Sequence, residues 1–478
     1  MYARLFCAAA LATGFAWAGL AVVRRWGATP NLALPATLPV MVLAYQLARY
    51  DPPAAVAGIV VSGAVLLTSR WWARGRAGAA AWRAVLSNER VFLGLLFVGA
   101  LALRLLFTLR VMSNPNYIET GADGVFYDQI AWSIAQGHGI VNPDFPLYIL
   151  GYPRFYRVAG HSYLALCAVQ SLLGAVVPVA IYYLARATFG RAVAAVTAVL
   201  TAVSFPLVFA AAAMGHQALD VAVTAVLVGA LAAAVWRPFE TWWQWAGIGA
   251  LFGAAVAVRE TNAAFLAFVF GWLWYAVPRS ASRMKPRTAA VWLTAGVLLA
   301  LTPMVARMVG SPEARLALSV HFDRIVSGDM DQLPIRAGMA RPLTDPEGAR
   351  QQLLRDPMFV LRTQARVARH FLAVQFFAQP YGEFDLLTLR KGSAYQFGML
   401  AYAYLFVTIG AAIGWRRVRE GGRWAPVIAL MIGLLVFRTL PHLLIYSSYG
   451  HRVPIEPFLI LFCQAGFWGV VWKAQEPA

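Results

Sequence analysis

Three carboxylates stand close together in the stretch Glu119-Thr120-Gly121-Ala122-Asp123-Gly124-Val125-Phe126-Tyr127-Asp128, soon after a long apolar segment that ends at Arg110. A carboxylate fixed where a chain leaves a bilayer can take a proton from a hydroxyl, and it can meet a substrate that is itself anchored in the membrane. Asp123 also has a plainer use, because Asp is a favoured N-cap and a helix is expected to begin near Gly124. Asp128 is open to two readings, a solvated helix residue or a substrate contact. Arginine supplies the second kind of chemistry. Arg259 and Arg452 fall at the ends of expected apolar helices, and the planar guanidinium fork matches phosphate oxygens. The alternative for both is snorkelling to lipid headgroups. Glu260 beside Arg259, and Glu456 four residues after Arg452, are suited to hold those guanidiniums. His216 and Asp220 share one face of an expected helix; the pair is a partial metal or substrate site, since two ligands do not complete a metal centre.

These residues are set in a chain that is mostly apolar. Of its 478 residues 60% are hydrophobic and 13% charged, about half the charged share of an ordinary soluble domain. Apolar runs of about 20 residues recur, each long enough to cross a bilayer. About 13 spans are expected, near 5–23, 32–49, 53–69, 91–110, 162–184, 192–213, 217–235, 243–258, 262–277, 288–308, 396–414, 424–446 and 453–472. The fold class is therefore an all-α polytopic membrane protein. Residues 1–90 form an N-terminal extension of about three spans, and 91–478 form the main membrane domain. Ala16-Trp17-Ala18 near the end of the first run resembles a signal cleavage site, but Arg24-Arg25 directly afterwards suits a retained first helix.

Lys and Arg total 40 against 21 Asp and Glu. The excess sits largely in short loops, Arg70 to Arg76, Arg186 to Arg191, Arg279 to Arg287 and Arg416 to Arg423. That is the pattern of cytoplasmic loops, not of a nucleic-acid surface. It puts loops 111–161 and 309–395 on the extracytoplasmic face, with Asp123, Arg259 and Arg452 at the same edge. In the first loop, Phe126, Ile130 and Ile134 recur at helical spacing up to Gly137, so a short interfacial helix is expected there. A second is expected from Asp356-Pro357 through Phe371-Leu372. Cys7, Cys167 and Cys463 all lie in apolar runs, with no spacing for metal or disulfides.

Four motifs then occur in order, each at an expected outer edge. They are Gly121-Ala122-Asp123-Gly124 with Tyr127-Asp128-Gln129, Ala131 and Gly137-His138-Gly139; Gly160-His161-Ser162-Tyr163 with Gln170-Ser171-Leu172-Leu173-Gly174; Gly247, Gly249-Ala250 and Gly253 leading to Arg259-Glu260-Thr261; and His451-Arg452-Val453-Pro454-Ile455-Glu456-Pro457. Together they resemble the GT-C glycosyltransferases, which include protein O-mannosyltransferases and the aminoarabinose transferase of lipid A. The resemblance runs from about residue 91 to 470. It implies a membrane enzyme of the cell envelope that takes a sugar from a polyprenyl-phosphate donor, inverts its anomeric centre, and passes it to a lipid, glycan or protein acceptor. Asp123 matches the family's catalytic base. Tyr127, Asp128, Arg259, Glu260, Arg452, His216 and Asp220 are expected around the substrates. Where many relatives carry Thr-Glu, this chain has His216-Gln217, with Asp220 one turn deeper. No metal ligand is therefore assigned and no cofactor is certain, with a divalent cation left open. A lipid-linked transporter would place its charges at mid-membrane between two related halves, a poorer match. A polymerase or ligase of envelope polysaccharide shares the donor chemistry and would lean on loop 309–395, where His321 and Arg324 lie.

Overall fold

The computed structural model describes residues 88–112, 122–138, 151–310 (without 214, 216, 238, 260, 281 and 283), 346–355, 358, 393–444 and 452–471. Residues 1–87 of the N-terminal extension, residues 311–345 of the second long loop and the helix expected across 356–372 lie outside that set, Met358 apart. The described residues are helical with no strand among them. In chain order the helices are α1 (Glu89–Met112), α2 (Ala122–Ala135), α3 (Gly151–Ala159), α4 (Tyr163–Phe189), α5 (Arg191–Val203), α6 (Phe205–Ala212), α7 (Gln217–Trp236), α8 (Trp242–Val258), α9 (Asn262–Ala276), α10 (Pro286–Gly310), α11 (Pro346–Arg355), α12 (Ser393–Glu420), α13 (Ala425–Leu444) and α14 (Glu456–Val471).

Only helices satisfy every backbone group inside a bilayer without an outside partner, so an apolar chain of this kind folds as a helical bundle. Stretches of α1, α4 and α7 (Glu89–Leu109, Tyr163–Phe189, Gln217–Trp236) are long and apolar enough to span it. The run expected as one span at 192–213 is instead two helices, α5 and α6, bent by 43°. Pro206 lacks an N–H and disfavours helical backbone at Phe205, so the ladder breaks at Ser204. The break frees the Ala202 carbonyl, and fully buried Arg104 of α1 donates to it at 3.0 Å. The helices α8 and α9, expected as full spans, are 17 and 15 residues long. They stop at Arg259–Thr261, where polar residues collect.

By packing, the chain divides into two compact units, one of residues 100–373 and 414–461 and another of 1–99, 374–413 and 462–478. In the first, α4 packs against α5, α6 and α7, α9 against α13, and α8 against α10. The α8–α10 contact explains the glycine-rich run. A Cβ on Gly249 would lie 2.0 Å from the Leu293 carbonyl oxygen, and one on Gly296 would lie 2.0 Å from that of Ala246. Backbone meets backbone there, the small-residue packing by which membrane helices associate. Ile181, Val228, Leu231, Phe252 and Phe265 are fully enclosed, while Leu106, Leu298 and Leu299 point outward, as suits faces turned to lipid. In the second unit Gly410 and Gly466 repeat the device: their added Cβ atoms would meet the carbonyl oxygens of Phe462 and Phe406.

The expected helix in the first loop is present as α2 and ends where Gly137 takes φ +92°. Ala131 is fully buried in one cluster with Tyr152 and Tyr156 of α3, with Trp132 and Ala135 packed beside it, and Ile130 and Ile134 are half-buried. Because α2 begins at Ala122, Asp123 lies inside its first turn and is not the N-cap of a helix starting at Gly124.

Candidate functional site

The first cluster joins α2 to α3 and to the start of α4. Tyr156 of α3 is almost wholly buried and its hydroxyl donates to Asp128 Oδ1 at 2.5 Å. His161 Nε2 lies 2.8 Å from Asp128 Oδ2, an ion pair when the imidazole is protonated. The His161 ring stacks on Trp132 with centroids 4.6 Å apart and planes 8° from parallel. Arg157 donates from Nε and Nη2 to the carbonyls of Ala135 and Ile134, both at 3.1 Å. That places a cation on the C-terminal end of α2. Gly160 turns the chain at φ +74°, and the Ser162 side chain accepts from the Ala165 amide to start α4. Burial, then the hydrogen bond from Tyr156 to Asp128 and the charge of Asp128, hold the phenol above the usual tyrosine range. Asp128 is thus a structural anchor, with both oxygens engaged and its side chain 21% exposed.

Beneath it lies an apolar layer of Ala131, Tyr152, Tyr156, Leu166 and Val258, against which Trp132, Tyr163 and Leu219 pack. Val258 and Leu219 are the immediate chain neighbours of Arg259 and Asp220, so this layer connects the first cluster to the second. Three side chains hold the segment that leads into α7. Tyr163 donates to the Ala212 carbonyl (2.9 Å), Gln170 to that of Ala213 (3.3 Å) and Tyr152 to that of Gly215 (3.0 Å).

The second cluster centres on Asp220, in the first turn of α7 and fully buried. Its Oδ2 receives Arg438 Nη2 at 2.6 Å and faces Arg259 Nη1 at 4.0 Å. Its Oδ1 accepts from Asn262 Nδ2 (3.2 Å) and Thr224 Oγ1 (3.3 Å). Arg438 Nη1 donates to Thr261 Oγ1 at 3.0 Å, and Asn262 Nδ2 also donates to the Ala255 carbonyl at 2.8 Å. The two arginines come from α13 and from the C-cap of α8 and are almost completely buried. A buried carboxylate is tolerable only when so paired, and a buried guanidinium only when it meets an anion.

Arg452 is a further buried arginine, with Nε 3.0 Å from Glu456 Oε2 one turn on. It begins the 3₁₀ turn Val453–Ile455, which packs on α6, α7 and α13.

Asp220 and Arg259 therefore meet directly, and the turn after Arg452 packs on the helix that carries Asp220. Asp123 and Tyr127 belong to the first turns of α2. His216 and Glu260 lie outside the described residues. A divalent ion does not fit Asp220 as it stands, because it would have to displace Arg438. Arg438, Asn262, Tyr156 and His161 were not foreseen as site residues. Arg438 had a signal: a lone arginine inside an apolar span is a functional candidate by default.

Residues 145–306 match the family model described as dolichyl-phosphate-mannose-protein mannosyltransferase. No curated protein sequence matches the chain. Among solved structures, the oligosaccharyltransferase of Archaeoglobus fulgidus is similar in its apo form, with a TM-score of 0.49, 14% identity, 81% of this chain covered and 51% of that one. The archaeal oligosaccharyltransferase AglB from the same organism, in complex with an inhibitory peptide and a dolichol-phosphate, gives 0.45 and 14%, covering 79% of this chain and 50% of that one. The chain thus spans about half the length of these structures. The mannosyltransferase match covers the helices that carry Tyr156, His161, Asp220 and Arg259, and it supports a membrane glycosyltransferase of the GT-C superfamily.

Proposed function

We propose that this GT-C-type glycosyltransferase moves a sugar from a polyprenyl-phosphate donor to an acceptor hydroxyl at the extracytoplasmic face of the plasma membrane, with inversion. The acceptor oxygen attacks the anomeric carbon, the bond from that carbon to the phosphate oxygen breaks, and the acceptor proton passes to the Asp123 carboxylate. Polyprenyl phosphate leaves with the electron pair. Negative charge grows on the phosphate as the bond breaks, so fixed cations there lower the barrier. Arg259, Arg438 and Arg452 are the cations in this reading. Tyr127, and Glu260 beside Arg259, line the substrates.

The observation that carries the proposal is the gathering of Arg259 and Arg438 on one buried carboxylate, Asp220. Asp220 and Arg259 fall within the mannosyltransferase match, and Arg438 joins them from α13. Guanidiniums brought together at one buried point suit the phosphate of a membrane-held lipid, whose oxygens fit their planar fork.

The test uses the full chain in nanodiscs, with envelope glycans and glycolipids profiled by mass spectrometry in cells with and without it. Loss of one sugar residue from one acceptor class supports the proposal and names both substrates. An unchanged profile together with no transfer from any polyprenyl-phosphate sugar overturns it. Orientation is checked with single cysteines at Asn116 and Gly338 in a background lacking the native three. Both are expected to react with an impermeant thiol reagent in intact spheroplasts, and protection of both reverses the topology.

A further inference from the structure

We infer that Arg104 is the core of a small-anion site where α1, α4, α6 and α7 meet, and that its ligand is a single chloride ion. The inference is independent of the glycosyl-transfer reading.

Arg104 lies in the apolar stretch Glu89–Leu109, which is long enough to cross a bilayer, and it is fully buried. An arginine keeps its charge at any physiological pH, so it cannot adapt to burial by losing a proton. Its Nη1 is spent on two carbonyls, those of Ala100 and Ala202, both at 3.0 Å. Nε and Nη2, which share one edge of the guanidinium, are buried with no hydrogen-bond partner. Among the described residues no carboxylate pairs with Arg104, whereas Arg438 and Arg452 have theirs at 2.6 and 3.0 Å. A charge inside a membrane span calls for a partner, and an edge with two parallel N–H donors is the edge on which arginine takes an anion.

A cavity of about 10 Å³ adjoins the guanidinium, and its other lining residues are Gly174, Val177, Leu207, Ala210, Ala218 and Val221. Gly174 keeps space at the unpaired edge, since an added Cβ would lie 2.9 Å from Nε. The volume suits one water-sized particle and is too small for a phosphate or a carboxylate. Every lining group but the guanidinium is apolar. A water molecule would fill the space and leave the charge uncompensated. A halide nearly matches the volume, accepts from both N–H groups and cancels the charge, and chloride is the abundant halide. Thr108, one turn from Arg104, and Ser171, one turn from Gly174, are also buried with hydroxyls that have no partner. Unpaired donors therefore recur on the faces of α1 and α4 that meet at Arg104.

The experiment follows thermal unfolding of the full chain in nanodiscs as sodium gluconate is replaced, at constant ionic strength, by sodium chloride, bromide or methyl phosphate. Equilibrium binding of radioactive chloride is measured alongside. Wild type is expected to bind one chloride per chain and to gain several degrees in Tm with either halide, saturating with concentration, and to gain nothing with methyl phosphate. Arg104→Met is expected to abolish the bound ion and the halide response together. Arg104→Lys keeps the charge and loses the fork, so its chloride midpoint is expected to rise about tenfold. Gly174→Ala crowds Nε and is expected to weaken chloride as much, which supplies the test if Arg104→Met does not fold. The same wild-type Tm in gluconate and chloride, with no ion bound, overturns the inference and leaves water against Arg104. A halide response kept in full by a folded Arg104→Met, or by Gly174→Ala, overturns it as well, because the ion then binds elsewhere. A methyl phosphate response equal to that of chloride also overturns it and makes this a phosphate contact.

Discussion

Asp128 and Asp220 are two carboxylates whose partners differ in kind. Asp128, at the rim, is held by a phenol, an imidazole and the packing of Trp132. Asp220, sealed in the bundle, is held by guanidiniums that are charged at any physiological pH. The rim acid fastens short helices to one another, which is geometry. The buried acid draws two guanidiniums from other helices onto α7, which is electrostatics. Neither has an oxygen free to take a proton from an acceptor without first losing a partner. In the proposed reaction that work falls to Asp123, on the same helix as Asp128.

The sharpest test of that division is Asp123→Asn against Asp128→Asn. Loss of a general base costs about 10² to 10⁴ in rate. Asp123→Asn is expected to show that loss in kcat with unchanged thermal stability. Asp128→Asn is expected to lower stability by about 1–2 kcal/mol, since it weakens two hydrogen bonds at once, and to cost far less in rate. If Asp123→Asn turns over normally and Asp128→Asn does not, the roles assigned to the two acids are exchanged.

Next in size is the cost of breaking the buried pair. Arg438→Met removes the 2.6 Å ion pair and leaves Arg259 facing Asp220 at 4.0 Å. Removal of one partner from a buried ion pair typically costs about 3–5 kcal/mol. Asp220→Leu/Arg438→Met removes both charges and is expected to unfold at a higher temperature than Arg438→Met alone, although inactive. Equal melting temperatures for the two variants would mean that the pair is not the source of the cost. His161→Phe keeps the stack on Trp132 and removes the contact to Asp128. Its expected cost is about 1 kcal/mol of stability, with a rate effect confined to whatever tilt it gives α2.

Much of this arrangement was open to sequence reasoning, and the exceptions have physical causes. Arg259 stood out because it falls at a helix end expected to face outward, where the positive-inside pattern does not ask for arginine. Arg438 did not, because averaging hydropathy over about 20 residues hides one charge among many apolar side chains. The bend at Ser204 is written locally in Phe205-Pro206, but hydropathy does not register a missing N–H. The grouping of Asp128, Tyr156 and His161 spans 33 residues of chain. It is set by how α3 folds back on α2, and no periodicity encodes that.

The smallest expected effect comes from Tyr156→Phe, and it separates packing from hydrogen bonding at the rim. The ring is buried against Trp132 and His161, so Phe keeps the apolar contacts and removes only the bond to Asp128. The net cost should be about 1 kcal/mol. The sign of its pH dependence follows from the raised phenol. Folding favours the protonated hydroxyl, so the stabilisation is fully present below the unfolded tyrosine value of about 10 and is lost only as pH rises above it. Between pH 6 and 9 the difference in melting temperature between wild type and Tyr156→Phe should therefore stay constant, and it should shrink in more alkaline solution. A difference that varies through the neutral range would mean that the raised phenol does not govern the pH dependence of this contact.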